Sequence, residues 1–131
     1  MARSESQIDA PWRRYWGKAS RDDSRSCHLL AYHCLDVAAV AEAWLEKDRP
    51  LLDAFVRSSG AEADCLRPWL LFFLALHDLG KMDVRFQLKE PGVAGTLNPR
   101  LRGHPSLRES IGFPHGQAGY KWFFIEMGMY H

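Results

Sequence analysis

Hydrophobic residues recur at helical spacing in two long segments of the chain. The first, from His28 to Glu46, contains no glycine or proline, and its apolar residues fall three and four positions apart. The face they form carries Leu30, Val37, Val40, Ala41 and Trp44. The second segment, from about Glu62 to Leu79, has a stripe that carries Leu66, Trp69, Leu70, Phe73 and His77. Both patterns predict core helices, and Gly80 is expected to end the second in a left-handed conformation.

The rest of the chain predicts shorter helical elements and one long loop. A helix from Leu51 to Arg57 and a last helix from Pro114 or His115 through Met127 are expected. Proline and glycine recur so closely over about 88–114 that we predict a long, functional loop there. No strand-like alternation extends beyond a few residues. We therefore predict an all-α helical bundle formed by a single domain over residues 1–131.

Composition narrows the class of protein and its compartment. The chain is 47% hydrophobic and 25% charged, as in soluble globular proteins. Its net charge of +1 gives no global signature of nucleic-acid binding. Three cysteines without a C-x-x-C pair fit reduced thiols, and no apolar run has the length of a signal peptide or a membrane span. We expect a cytoplasmic protein with no membrane partner.

The pair His77-Asp78 stands where the second apolar segment ends. His33 lies on the apolar stripe of the first helix, so face-to-face packing of the two helices would bring both imidazoles and the carboxylate together. Imidazole and carboxylate ligands suit first-row divalent metals, and a carboxylate that bridges two ions allows activation of water and clamping of a phosphate. Lys81 could offer its ammonium to that phosphate. The alternatives are a core His33 bonded to a carbonyl and a solvated Lys81 at a helix end.

Basic residues are in local excess beyond this motif. Between Lys81 and Arg108 there are six of them, against three acidic residues if the window is stretched by one. Lys81, Arg85 and Lys89 come first, with Phe86 among them, and could guide a single strand by phosphate contact and stacking. A solvated loop with scattered charges is the alternative.

Three blocks of sequence occur together in the chain, and they read HLLAYHCLDVAAVAEAWL, WLLFFLALHDLGKMDVRFQ and FPHGQAGYKWFF. In order and spacing they resemble the HD superfamily of metal-dependent phosphohydrolases, in particular the N-terminal HD nuclease domain of the CRISPR-associated nuclease-helicase of type I systems. The resemblance implies metal ligation by His33, His77, Asp78 and His115, with Asp78 and Lys81 as catalytic residues. It implies two ions in the complete site, and the imidazole and carboxylate ligands favour Mn, Fe, Co or Ni, with Mg as a further candidate.

The resemblance also implies a substrate and partners. The substrate would be single-stranded DNA displaced by a guide-RNA surveillance complex, and a helicase domain would normally be fused downstream. The family completes its site with two adjacent histidines and an aspartate beyond the position of His115, whereas sixteen residues follow His115 here. We therefore expect an N-terminal portion that lacks the helicase and holds one ion. A nucleotide phosphohydrolase of the same fold and a silent remnant that binds partners or DNA are the alternatives.

Overall fold

The structure, a computed structural model, describes residues 10–23 and 26–126. Two short strands come first, and six α-helices follow within these ranges. The strands are β1 (Trp16–Ala19) and β2 (Cys27–Leu29), and the helices are α1 (Leu30–Lys47), α2 (Arg49–Ser59), α3 (Ala63–Ala75), α4 (Val84–Gln87), α5 (Pro91–Leu97) and α6 (His115–Glu126). Turns of 3-10 helix occupy Pro11–Arg14, Leu79–Met82, Pro99–Leu101 and Pro105–Ser110. The predicted continuation through Met127 lies outside the described residues.

The mostly helical fold class is confirmed, but the small sheet was not anticipated. β1 and β2 pair antiparallel, with Trp16 opposite Leu29 and Lys18 opposite His28. The pairing is interrupted between Trp16 and Lys18, which makes Gly17 a bulge. Strands of three and four residues are too short for the alternation of apolar and polar residues to emerge from the sequence.

The predicted ends of the two long helices were partly wrong. α1 begins at Leu30 and not at His28, because His28 pairs with Lys18 in the sheet. α3 ends at Ala75, so the predicted helix to Leu79 is too long. Gly80 is not a left-handed stop, since positive φ angles among the described residues occur at three other glycines, Gly60, Gly103 and Gly112. Gly80 lies instead in the 3-10 helix Leu79–Met82.

The long loop predicted over about 88–114 was also wrong. This stretch forms α5 and two 3-10 helices, each of which has a proline in its first two positions: Pro91, Pro99 and Pro105. Proline is well accommodated at the start of a helix, where its missing N–H would have no partner inside the helix. Closely spaced prolines here divide the chain into short helices without leaving it irregular.

The chain divides into two compact units. The first consists of the residues up to His33 together with those from Asp78 onward. Its core has two clusters of buried apolar side chains. One contains Trp16, Phe86, Val93 and Phe113, and the other contains Leu88, Ala94 and Leu101.

The second unit, Cys34–His77, contains α2, α3 and most of α1. Its buried leucines are Leu45 and Leu52. Arg67 of α3 donates to Glu46 of α1 at 2.8 Å. The predicted core residues Val40, Trp44, Trp69 and Phe73 are all more than half exposed. Periodicity shows which residues share a face of a helix, but it does not show which element covers that face, and this part of the core prediction was wrong.

Within the described ranges, no helix has both the length and the apolar character needed to cross a membrane.

Asp83 forms a local ion pair that should make stability depend on acid pH. Its carboxylate accepts from the Arg85 guanidinium at 2.8 and 2.9 Å, which lowers the pKa of Asp83 below its ordinary value. A group whose pKa is lowered on folding stabilises the fold above its unfolded-state pKa and loses that contribution as the pH falls through the folded-state pKa.

Asp83→Asn should therefore lower stability at pH 7 slightly and flatten the decline of stability below about pH 4. Asparagine retains the N-cap bond from the Arg85 backbone N–H, so the comparison isolates the charge. Urea unfolding between pH 2.5 and 7 measures both effects. An acid decline that is equally steep in the variant would contradict the prediction.

Candidate metal centre

Asp78 is the residue on which the site converges. It directly precedes the 3-10 helix Leu79–Met82, and it is buried at 6% exposure. The Nε2 of His33 lies 3.0 Å from Oδ2, and the Lys81 ammonium lies 2.6 Å from the same oxygen. The Nε2 of His115 lies 3.5 Å from Oδ1. One buried carboxylate thus has three nitrogen-bearing side chains around it, all within the first unit.

His33 is positioned by α1 and by the bulge in β1. It is the fourth residue of α1, and the base of its side chain packs against Gly17. A Cβ on Gly17 would lie 3.0 Å from the Cβ of His33 and 3.0 Å from the Cα of Leu30. The absence of a side chain at Gly17 therefore allows β1 to approach the start of α1 closely enough for His33 to face Asp78.

His115 is the first residue of α6, and a contact between two glycines brings it to the site. Gly80 and Gly119 are both buried, and a Cβ on Gly119 would lie 2.6 Å from the backbone nitrogen of Gly80. A Cβ on Gly80 would overlap the carbonyl oxygen of His115. Backbone therefore packs on backbone between the 3-10 helix and α6, and this sets the separation of His115 from Asp78.

Lys81 is held inside the site. Its side chain is 13% exposed, and its ammonium donates to the Gly17 carbonyl at 3.0 Å in addition to pairing with Asp78. The ammonium also lies 5.5 Å from the centre of the Phe86 ring. The alternative of a solvated lysine at a helix end was wrong, because these contacts fix a positive charge beside the carboxylate.

His77 is the last residue of the second unit and is joined to Asp78 by a peptide bond. Its Nδ1 donates to the carbonyl oxygen of Leu74 at 2.6 Å. A donated Nδ1–H leaves the lone pair on Nε2, which is the tautomer of many metal-ligating histidines. The bond holds the ring with Nδ1 toward the carbonyl, so Nε2 is the nitrogen that would bind an ion, and the role of His77 as a ligand stays a prediction.

The other basic residues predicted to contact DNA have partners within the first unit. The Arg85 guanidinium pairs with Asp83 and stacks on Phe113, with its carbon Cζ 4.4 Å from the ring centre. The Lys89 ammonium donates to the Phe113 carbonyl at 2.9 Å. Both cations thus lie beside Phe113, a member of the first buried cluster, and their contact with DNA stays a prediction.

His28 and His104 lie in other surroundings. His28 lies in β2, with its ring centre 6.2 Å from that of His33. The Nδ1 of His104 accepts from the Ser106 backbone N–H and caps the 3-10 helix that follows. A capping role accounts for His104 without ligation.

Sequence reasoning missed two residues that build the site, Gly17 and Gln87. Gly17 supplies the carbonyl that accepts from Lys81, and Gln87 is a fully buried amide at the end of α4. The signals in the sequence were a glycine next to Trp16 and a polar residue within the apolar run Phe86 to Leu88. Neither signal is specific without the fold.

The donors at Asp78 fit a divalent transition metal. Two imidazoles and a carboxylate form the mixed nitrogen and oxygen set that such ions prefer, while calcium sites consist of oxygen alone. Burial of the carboxylate also shields it from bulk water, which strengthens its interaction with a cation.

Imidazoles that converge on a buried aspartate within a helical domain are typical of HD-type phosphohydrolases. The model of the family described as "Cas3, HD domain" matches residues 16–128. The CRISPR-associated endonuclease/helicase Cas3 of Escherichia coli (strain K12) is 46% identical over 114 residues, which cover 83% of this chain and 13% of that protein. No solved structure matches the chain. The chain belongs to the Cas3 HD domain family, as the resemblance of its three sequence blocks indicated.

Proposed function

We propose that this chain is a metal-dependent nuclease domain that cleaves single-stranded DNA in CRISPR interference. The observation that carries the proposal is Asp78, a buried carboxylate contacted by His33, Lys81 and His115. The relative from Escherichia coli is named an endonuclease and helicase, which supports a nuclease over other hydrolases. A helicase and a guide-RNA surveillance complex would be the partners of the longer protein.

His33, Asp78 and His115 would hold the ion, and His77 would join them through its Nε2. When bound, a divalent ion supplies Lewis-acid activation of water and of a phosphodiester. The protein's own contribution is to fix the ligands before the substrate arrives. His33 and His115 already face the two oxygens of Asp78, so little side-chain order is lost when an ion binds.

Lys81 would act on the substrate electrostatically. Its ammonium lies beside Asp78 at low exposure, where a positive charge interacts strongly with a phosphate oxygen. The lysine is held by the Gly17 carbonyl, so its position does not depend on the substrate. Arg85 and Lys89 would contact phosphates further along the strand, where the Arg85 side chain is 43% exposed.

Metal content and cleavage together test this proposal. The purified chain is loaded with Mn, its metal content is measured by mass spectrometry, and it is incubated with labelled single-stranded DNA, duplex DNA and small nucleotides. We expect bound Mn and cleavage of the single strand, both removed by EDTA. Hydrolysis of small nucleotides with intact DNA would indicate a nucleotide phosphohydrolase. Neither metal nor cleavage would indicate a silent remnant.

His77→Ala should weaken Mn binding by about 10-fold or more and remove cleavage, while helicity by circular dichroism is retained. The control is His104→Asn, which removes an imidazole that caps a 3-10 helix and supplies a capping amide oxygen in its place. The control should bind Mn and cleave as the wild type does. Loss of helicity in His77→Ala would contradict a ligand role and favour a structural one.

A further inference from the structure

Gln87 is a polar side chain that is completely buried. It ends α4 at 0% exposure between the buried side chains of Phe86 and Leu88. A buried amide is costly unless its donors and acceptors are paired. Both N–H donors and the oxygen of this amide are bonded, and the bonds run to Trp16 and Lys81.

The side-chain oxygen of Gln87 accepts from the Trp16 backbone N–H at 3.0 Å. Its amide nitrogen donates to the Trp16 carbonyl at 3.0 Å and to the Lys81 carbonyl at 2.7 Å. The main-chain carbonyl of Gln87 accepts from the Trp16 indole at 3.0 Å. One amide therefore joins β1 to the end of the 3-10 helix, across 71 positions in sequence from Trp16.

The bonds of Gln87 to Lys81 and to Trp16 both act on the position of the Lys81 ammonium. The amide of Gln87 fixes the main chain of Lys81 directly. Through Trp16 it fixes the neighbouring Gly17, whose carbonyl accepts from the ammonium at 3.0 Å. The Gln87 side chain therefore fixes both the main chain of Lys81 and, through Trp16, the Gly17 carbonyl that accepts from the ammonium.

We propose that Gln87 is a positioning residue that holds the Lys81 ammonium against Asp78 by bonding both to Lys81 and to the strand that presents the Gly17 carbonyl. This inference rests on the proposed function, which places Lys81 at the reacting phosphate. Among side chains of this length, only a neutral amide accepts from Trp16 and donates to two carbonyls at once. Methionine would fill the volume without the bonds, and an ionised glutamate would turn an acceptor toward two carbonyls.

Nuclear magnetic resonance of the lysine ammonium groups tests this inference without metal or DNA. In the wild type we expect one 15Nζ–1H signal protected from solvent exchange, assigned by its disappearance in Lys81→Met. In Gln87→Met and Gln87→Glu this signal should be lost or moved to the position of exposed lysines, with helicity retained. Because the readout needs no ion and no cleavage, its failure is distinct from failure of the proposed function.

Two controls separate positioning from packing. Trp16→Phe removes the indole bond to the main chain of Gln87 but keeps the side-chain amide bonds, so the Lys81 signal should persist. Val93→Ala weakens the same core without touching the amide and should also keep it. A Lys81 signal unchanged in the folded Gln87 variants, or lost equally in the controls, would overturn the proposal.

A measurement on the wild type covers the case in which the Gln87 variants fail to fold. The two side-chain amide protons of Gln87 should exchange with deuterium as slowly as backbone amides of the core, because the side chain is fully buried and both protons are donated to main-chain carbonyls. Exchange at the rate of an exposed glutamine would show that the amide does not hold Lys81 and would overturn the inference.

Discussion

Replacing Asp78 by asparagine should abolish Mn binding and DNA cleavage while leaving a folded helical domain. Asparagine has nearly the same shape, but it lacks the charge that attracts a cation and the second oxygen that faces His115. We expect the affinity for Mn to fall by about 100-fold or more, since a first ligand is lost along with the charge that compensates the ion. Calorimetric titration with Mn and a cleavage assay measure the two losses.

Asp53→Asn is the matched control, because it changes an exposed carboxylate on α2 in the same way. The control should bind Mn and cleave DNA at wild-type levels. Metal binding that survives in Asp78→Asn would show that the ion is held elsewhere, and this would contradict the assignment of the site.

Truncation of the same residue to alanine should have an additional cost in stability. Asparagine keeps an oxygen that can accept from the Lys81 ammonium, whereas Asp78→Ala removes that acceptor together with the charge and leaves a lysine that is 13% exposed without its partner. Breaking such a pair costs about 3–5 kcal/mol, a large part of the stability of a small domain. Adding Lys81→Met should restore much of the loss in denaturant unfolding, because the unpaired charge is then absent. Equal stability of the single and double variants would contradict this account.

Gly80→Ala should displace α6 and separate His115 from Asp78. The new Cβ would overlap the His115 carbonyl and lie 2.5 Å from the Gly119 nitrogen, and neither backbone group can rotate away as a side chain would. Overpacking costs about 1–3 kcal/mol and occasionally more, and rigid backbone on both sides places this substitution at the upper end, so we expect a clear fall in unfolding free energy and weaker Mn binding. Denaturant unfolding and Mn titration on the same preparation measure the two effects.

Gly116→Ala is the control for this effect, because it adds a methyl group to α6 at a position where the methyl would meet no neighbouring element within 4 Å. Alanine favours helix over glycine by up to about 1 kcal/mol, so this variant should be unchanged or slightly more stable. A Gly80→Ala protein as stable as Gly116→Ala would show that the close contact does not exist in solution.

The helices and the centre of the site could be predicted from sequence because their signals are local. Apolar periodicity located α1 and α3, and His77-Asp78 stood out at the end of an apolar run. The partners of Asp78 come from distant segments, with 45 positions separating it from His33. Such convergence was inferred from an assumed packing and from the family resemblance, and the structure brings His33, Lys81 and His115 to Asp78.

Other features could not be predicted because they depend on tertiary contacts. Gly80 was interpreted from its local signal as a helix stop, whereas its role is to allow another backbone to approach. Gln87 looked like one polar residue among apolar ones, and only the fold shows its bonds to Trp16. The exposed Trp44 and Trp69 show the converse, since their periodicity indicates a shared face but not its burial.

The contact between Gly80 and Gly119 matters for anyone who wishes to rebuild this centre in a designed protein. Grafting His115 and Asp78 onto two elements at ordinary helix spacing would leave the imidazole short of the carboxylate, because ordinary helix pairs are held about 8–10 Å apart by their side chains. A successful graft would need to carry both glycines as well, since their contact sets the distance between the His115 imidazole and the Asp78 carboxylate.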